Sequence, residues 1–453
     1  MAGSLGAGVT ASTWTIRSVA RRVDPTQGVR VLIVLLPLWW LLGIDQLVWP
    51  FAVALLLLRS MLLGVRMQAP AVFALASGAL LVAMVAASTM VADGRELTYV
   101  RNLGVHMGGW GLAVLVIATH RTIDQVAATL RALAFTFAFV AAAGAMGALG
   151  VRWVFDTPMY GVMGPFLDSA YVQPMVTKSL VHNEATWFSQ GFLRPRGLML
   201  FPNILGAVAA LSLAAKLLLT PPRRRWFRWT LYASAAIEVG VIVATLSRST
   251  WLALLIGLIV VVLTSRLRSR AGMPTVHLLI VLGAALALTG ALDVVVERIV
   301  HRGHSNEVRL ETYMLTLDAV LDSPATLLIG HGTQRGDDAL TVPVGSHSTY
   351  LGMLFKYGAF GLLAYGVLLW SAWRKVLRAQ MSRSWRVRPD IPRFLLFSIT
   401  FFGVQGWFIE MDVDAAYLTF FWVLTGLSYV IGRRALIRQA RGEDRDHEEV
   451  EAA

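Results

Sequence analysis

The chain has 453 residues, of which 56% are hydrophobic and only 15% charged, with a mean hydropathy of +0.63. That is too apolar for a soluble domain and describes a polytopic membrane protein. There is no cysteine, which excludes disulfides and thiolate metal sites, while the formal charge of +13 raises the question of a nucleic-acid partner.

The first 28 residues are polar and basic. The apolar run that follows leads directly into another without an A-x-A cleavage site, so no removable signal peptide is expected. A bilayer core about 30 Å thick needs about 20 apolar residues per spanning helix. Stretches of this kind predict twelve helices, at 29–43, 46–63, 70–91, 103–119, 132–151, 197–217, 229–246, 249–264, 275–292, 347–372, 394–410 and 415–432. The first pair, Val31 to Leu58, is broken only by Gly43, Asp45, Gln46 and Pro50. A single helix over that stretch would be about 42 Å long and heavily tilted, so a tight hairpin is the expectation.

Alternate loops hold 28 of the 40 lysines and arginines. By the positive-inside rule both termini then lie in the cytoplasm, and this accounts for most of the basicity, so no nucleic-acid partner is expected. The layout becomes a cytoplasmic segment at 1–28, helices 1–9 over 29–292, an outer loop at 293–346, helices 10–12 over 347–432 and a charged, solvated tail at 433–453.

Two large loops fall on the outer side, 152–196 and 293–346. Pro158, Pro165, Pro174 and Pro195 disfavour a long helix in the first and suggest a folded cover. In the second, RLETYMLTLDAVLDSP places Leu310, Tyr313, Met314, Leu317, Val320 and Leu321 at helical spacing. This predicts an amphipathic helix ending before Pro324, read most simply as a lid.

Three patterns carry chemistry. RPRGLMLFPN brings Arg194 and Arg196 to the outer end of the sixth span, where each arginine alone also fits an interfacial anchor. TLSRSTWLAL puts Arg248 in a short apolar turn between the seventh and eighth spans, a costly position unless something anionic meets it. LLIGHGTQRG followed by GSHSTYLGMLFKYGAFG offers His331, Arg335 and His347, with Tyr350 one turn further on. There is no D-x-D, no H-E-x-x-H and no histidine cluster at ligand spacing, and the adjacent Asp337 and Asp338 would point apart. No metal or other cofactor is expected. Glu184, Glu307 and Asp338 offer carboxylates for glycosidase-like chemistry, but no spacing singles out two of them. Glu238, inside the seventh span, is either functional or paired with a basic residue.

The order R-x-x-x-x-x-P-N, then S-R-S, then G-x-G and H-x-x-Y-L at the end of a large outer loop resembles the O-antigen ligase and O-antigen polymerase superfamily. The resemblance spans about residues 190–372. Two positions depart from it: Ser348 stands where asparagine is frequent, and Lys356 where L-x-E-x-G would place an acid.

The resemblance implies an all-α, GT-C-like enzyme of the bacterial inner membrane, in contact with its lipids, that builds cell-envelope polysaccharide such as lipopolysaccharide. Its donor would be an undecaprenyl-pyrophosphate-linked glycan and its acceptor a glycan or lipid-linked hydroxyl at the outer face. Arg196, Arg248 and His347 become the expected catalytic residues, with Arg194, Arg335, His331 and Tyr350 as substrate contacts. Ligase-type transfer is favoured over polymerisation. The alternative is a flippase or secondary transporter of lipid-linked glycans, which should show matching halves and midplane charges.

Overall fold

The computed structural model describes residues 24–163, 173–181, 194–219, 225–268, 303–334, 343–382, 384–385, 387–433 and 436–437. Within them the chain is almost wholly helical, so the all-α expectation holds. Helices stand at each predicted span except 275–292, which lies outside the described residues. Five are long and apolar enough to cross a membrane: Ala71–Met90, Glu96–Thr119, Ile123–Ala148, Arg248–Ser265 and Thr349–Met381. Val48–Leu62, Pro202–Leu218, Trp229–Ala244 and Ala415–Val430 are shorter apolar helices.

The expected hairpin is present. Helices α1 (Gln27–Val34) and α2 (Leu36–Leu42) end at Gly43, whose φ of 78° turns the chain into α3 (Val48–Leu62). Gly28 at the start of α1 then lies against Leu56 near the end of α3, as an antiparallel pair requires. Next come α4 (Ala71–Ala87), α5 (Glu96–Thr119) and α6 (Ile123–Ala148). The Thr122 side chain accepts from the backbone N–H of Gln125 in a capping box that starts α6 nine residues before the predicted span.

The cover loop is folded as expected where it is described. A two-residue ribbon pairs β1 (Phe155–Asp156) with β2 (Thr177–Lys178) antiparallel, and Val181 bridges Pro195. Helix α7 (Pro202–Leu218) follows with proline at its first position. Helices α8 (Arg225–Ala244) and α9 (Arg248–Arg268) form the next hairpin.

The amphipathic helix is α10 (Gly303–Leu321), and Pro324 opens a separate short helix, α11 (Pro324–Ile329), capped by Ser323. One detail of the expected stripe changes. Leu310, Met314, Leu317 and Leu321 are exposed, whereas Thr312, Thr316 and Val320 are buried and Tyr313 is half-buried, so the helix has two working faces rather than one.

Helix α12 (Thr349–Met381) is much longer than the predicted span and is interrupted at Gly358 (φ 65°, ψ −172°). A β-carbon there would meet the Leu328 carbonyl oxygen at 2.1 Å. The break leaves carbonyls of the preceding turn open, and the GHG segment fills them: His331 N–H donates to Phe355 O at 2.7 Å and Gly332 N–H to Lys356 O at 2.9 Å. Helix α13 (Asp390–Gln405) gives way to a loop at Gly406, and α14 (Ala415–Val430) closes the described bundle.

Every residue of α14 is buried, the pattern of a central helix with no lipid-facing side. Its first turn anchors a polar layer. Asp414 accepts from Tyr417 N–H at 3.1 Å and Leu200 N–H at 2.9 Å, Gln46 accepts from Ala415 N–H at 2.9 Å, and Lys178 of the cover pairs with buried Asp45 at 2.7 Å. Burial pushes the Asp414 carboxyl up, against the two N–H groups it accepts from. This layer holds the cover loop, the α2–α3 turn and α14 at one end of the bundle.

Glu238 of α8 is buried and accepts from Ser212 and Lys216 of α7. Of the two readings open to it, pairing with a basic residue is the one the structure displays.

Candidate functional site

The turn that carries Arg248 is built by residues around it. Leu246 takes a φ of 51°, and Ser247 ties the turn to α9 by accepting from the Thr250 hydroxyl at 2.9 Å. Arg194 then grips it from outside: Nε and Nη2 donate to the Thr245 carbonyl at 2.9 and 2.6 Å, and Nη2 also donates to Asn203 Oδ1 at 2.7 Å. The first and second sequence motifs are therefore physically joined. Arg194 was expected to touch substrate, yet the fork it presents is spent on orienting the Arg248 turn.

Arg196 sits two residues away and faces the cover loop. Its backbone N–H donates to Leu180 O at 3.0 Å and its Nε to Ser179 O at 2.8 Å. One edge of the guanidinium thus closes the cover.

His347 lies two residues before α12 and has a φ of 65°. A non-glycine residue in the left-handed region costs about 1–3 kcal/mol and persists only where its surroundings impose it. Here they do. Ser348 caps α12 by accepting from Leu351 N–H at 3.3 Å, and Thr349 N–H donates to the carbonyls of Gly406 and Ile409 at 2.7 and 3.0 Å. Tyr313 of α10 donates its hydroxyl to His347 O at 3.4 Å and Trp407 O at 3.2 Å, and Gly345 N–H donates to Thr316 at 2.9 Å. The buried face of α10 thus seats the histidine turn.

One helical turn before Tyr313 on that face stands Arg309. The half-buried Arg309 side chain has no hydrogen-bond or ion-pair partner among the described residues. Burial pushes its pKa down, Tyr313 acts against this, and the neighbouring charge of Arg248 adds a smaller push downward. Burial, and then the charge of Arg309, hold the His347 imidazole down at about 4. Arg309 of α10 is therefore within electrostatic reach of both Arg248 at the start of α9 and His347 before α12. The sequence reading missed Arg309 because it treated α10 as a lid; the signal available was Arg309 and Tyr313 at i and i+4.

His331 and Tyr350, both expected as substrate contacts, each make contacts within the fold. His331 Nε2 lies 3.1 Å from Ala319 O, and its ring stacks on Phe355 with centroids 4.4 Å apart. Tyr350 donates its hydroxyl to Gly403 O at 2.6 Å and packs on Trp407. Arg335, Glu184 and the Asp337–Asp338 pair lie outside the described residues. Among the described residues, no three histidine, aspartate or glutamate side chains converge as metal ligands would.

Residues 233–366 match the family model described as O-antigen ligase. That stretch of the chain is similar to the O-antigen ligase family. It contains Arg248, Arg309 and His347 and stops short of Arg194 and Arg196 upstream. No curated protein matches the chain. The apolar helices and this local match together describe a helical, multi-pass membrane protein with a region similar to O-antigen ligases.

Proposed function

We propose that this chain is a membrane glycosyltransferase that moves a glycan from an undecaprenyl-pyrophosphate carrier to an acceptor hydroxyl at the outer face of the bacterial inner membrane. The single observation that supports the proposal is the electrostatic reach of Arg309 to both Arg248 and His347, with Tyr313 of the same helix bonded to the His347 carbonyl.

A glycan bound through its anomeric carbon to pyrophosphate has a good leaving group already. The protein's task is to neutralise the charge that develops on the departing oxygen and to take a proton from the acceptor. Arg248 and Arg309 supply permanent positive charge suited to phosphate oxygens. Their mutual repulsion in the empty site is relieved when the dianionic group arrives. Arg196 serves the same anion from the cover side.

His347 is neutral at physiological pH, so its imidazole nitrogen is available as a base. It removes the acceptor hydroxyl proton as that oxygen attacks the anomeric carbon. The bond to pyrophosphate breaks with its electrons going to the leaving group, and the configuration inverts. Bound pyrophosphate also raises the basicity of His347 by offsetting the charge of Arg309. A general base of this kind contributes about 10²–10⁴-fold.

Transfer is of the ligase type, onto a lipid or glycan anchor rather than onto another carrier-linked unit, and the compact 293–346 loop supports that reading. The test is incubation of the purified protein in detergent with an undecaprenyl-pyrophosphate glycan, candidate acceptors and a chelator. Product made in chelator supports the scheme, and the acceptor consumed separates ligase from polymerase. Movement of the lipid across a vesicle without product formation would replace it with transport.

A further inference from the structure

Lys356 stands where the sequence pattern leads one to expect an acid, and it is fully buried in α12. The acid is present, but it comes from elsewhere. Glu410, in the loop between α13 and α14, accepts from Lys356 Nζ at 2.8 Å, and Asp412 accepts from the same ammonium. Asp412 also lies 3.3 Å from His106 Nε2 of α5. The second Glu410 oxygen accepts from Gln334 of the GHGTQ segment. All four ionisable groups of this cluster are at most 6% exposed.

The loop that presents Glu410 is the one that seats the histidine turn. Ile409, the residue before Glu410, accepts at its carbonyl from both the backbone N–H and the hydroxyl of Thr349, at 3.0 and 2.6 Å. Met411, the residue after it, donates its N–H to the Thr349 hydroxyl at 3.1 Å. Thr349 is two residues from His347. Glu410 therefore joins three segments, α12 through Lys356, the GHG segment through Gln334 and the 406–411 loop through its own backbone, at the place where the left-handed His347 conformation has to be imposed.

We propose that Glu410 is a positioning residue for His347, acting through a charge-exchanged pair with Lys356 that carries at position 410 the acid the pattern would place at 356. The role of Glu410 rests on the reading of His347 as the base. An uncompensated charge left at either position is costly in a buried site, so single variants alone would not separate positioning from folding. Exchanging the two residues keeps the net charge and the 356–410 pair, while the Lys356 bond to Asp412 is lost.

The experiment compares E410Q, E410K, K356E and the exchange K356E/E410K as purified full-length protein in detergent, each checked for monodispersity. Two readouts are taken: kcat and KM for glycan transfer, and the rate of diethyl pyrocarbonate modification of His347 resolved by peptide mass spectrometry. A misplaced base lowers kcat while leaving donor binding alone, so E410Q is expected to lose about tenfold or more in kcat with KM within about twofold. The His347 modification rate should change with it while that of His331 does not. The exchange variant should recover part of the kcat lost in E410K and K356E, because it restores the 356–410 pair although not the bond to Asp412.

An exchange no better than E410K alone overturns the proposal, as does E410Q with unchanged kcat and unchanged His347 reactivity. If the parent protein transfers no glycan at all, the functional reading fails. His347 reactivity across the same four variants then still decides the positioning claim.

Discussion

The Tyr313 hydroxyl donates to the backbone carbonyl of His347, so the helix that carries Arg309 and the turn that carries the base move as one unit. The bond is long at 3.4 Å and is shared with Trp407 O. Tyr313→Phe therefore costs only a modest amount, about 0.5–1.5 kcal/mol. The expected outcome is a kcat lower by about two- to tenfold with a thermal midpoint lowered by no more than a few degrees, read in the transfer assay and by differential scanning fluorimetry.

Arg309→Ala removes one of the two charges set against the leaving group and should lower kcat/KM by at least about 10²-fold, by the magnitude typical of one electrostatic stabiliser. It also carries a pH signature. His347 acts as a base only when neutral, so kcat/KM falls as pH falls through its pKa in the free enzyme. Burial and Arg309 hold that pKa at about 4. Removing Arg309 lets it rise, and the acid limb of the profile should shift to higher pH. A limb that stays in place, measured from pH 4 to 8, means that Arg309 does not face His347.

Arg248→Ala and His347→Ala should each abolish transfer while the protein remains inserted and monodisperse. Arg196→Ala is expected to do the same, with part of its effect arising from the lost bond to Ser179 O. Full activity in the Arg248 or His347 variant, measured with saturating donor, would sink the mechanism.

Arg194→Lys tests a different role. Lysine keeps the charge but cannot reproduce the two-nitrogen grip on Thr245 O together with the bond to Asn203. If Arg194 orients the Arg248 turn, Lys is nearly as damaging as Ala, at about 10-fold or more in kcat/KM. Near-parental activity of the lysine variant would instead favour a simple charge role.

Gly358→Ala is a stability prediction. The residue has a φ of 65°, and an added β-carbon would meet backbone atoms of Leu328 and Ile329 at 2.1–2.5 Å. Left-handed strain alone costs about 1–2 kcal/mol, and the clash with α11 adds to it. The thermal midpoint in detergent should fall by several degrees, and a parental midpoint would contradict the interrupted helix.

Much of the fold was legible because membrane helices announce themselves through composition. Runs such as 71–87 and 415–430 must bury their backbone in hydrogen bonds of their own wherever water is absent, and helices stand at each. Boundaries were less legible. The start of α6 depended on a capping pair at Thr122 and Gln125, and the length of α12 on Gly358, whose irregular backbone is tolerated because Leu328 packs against it and His331 and Gly332 satisfy the freed carbonyls.

The candidate site divides in the same way. Arg248 and His347 stood out because a charge in a short apolar turn and a histidine at a span's edge are costly without a purpose. Arg309 did not, since an arginine on an amphipathic helix is ordinary until that helix is seen to lie on the histidine turn. His331 and Tyr350 looked equally promising in the motif, and only the tertiary structure reveals their contacts with Ala319, Phe355 and Gly403.

By itself, then, the sequence determined that this is a helical membrane protein, because apolar run length and charge alternation are local properties that a bilayer reads directly. The order of its short motifs also pointed to the O-antigen ligase family, in agreement with the match at residues 233–366. Which cations meet, and which are spent on carbonyls, was decided by the tertiary structure alone. Charge acts through space, and the electrostatic reach of Arg309 to Arg248 and His347 exists only because segments far apart in the chain pack together.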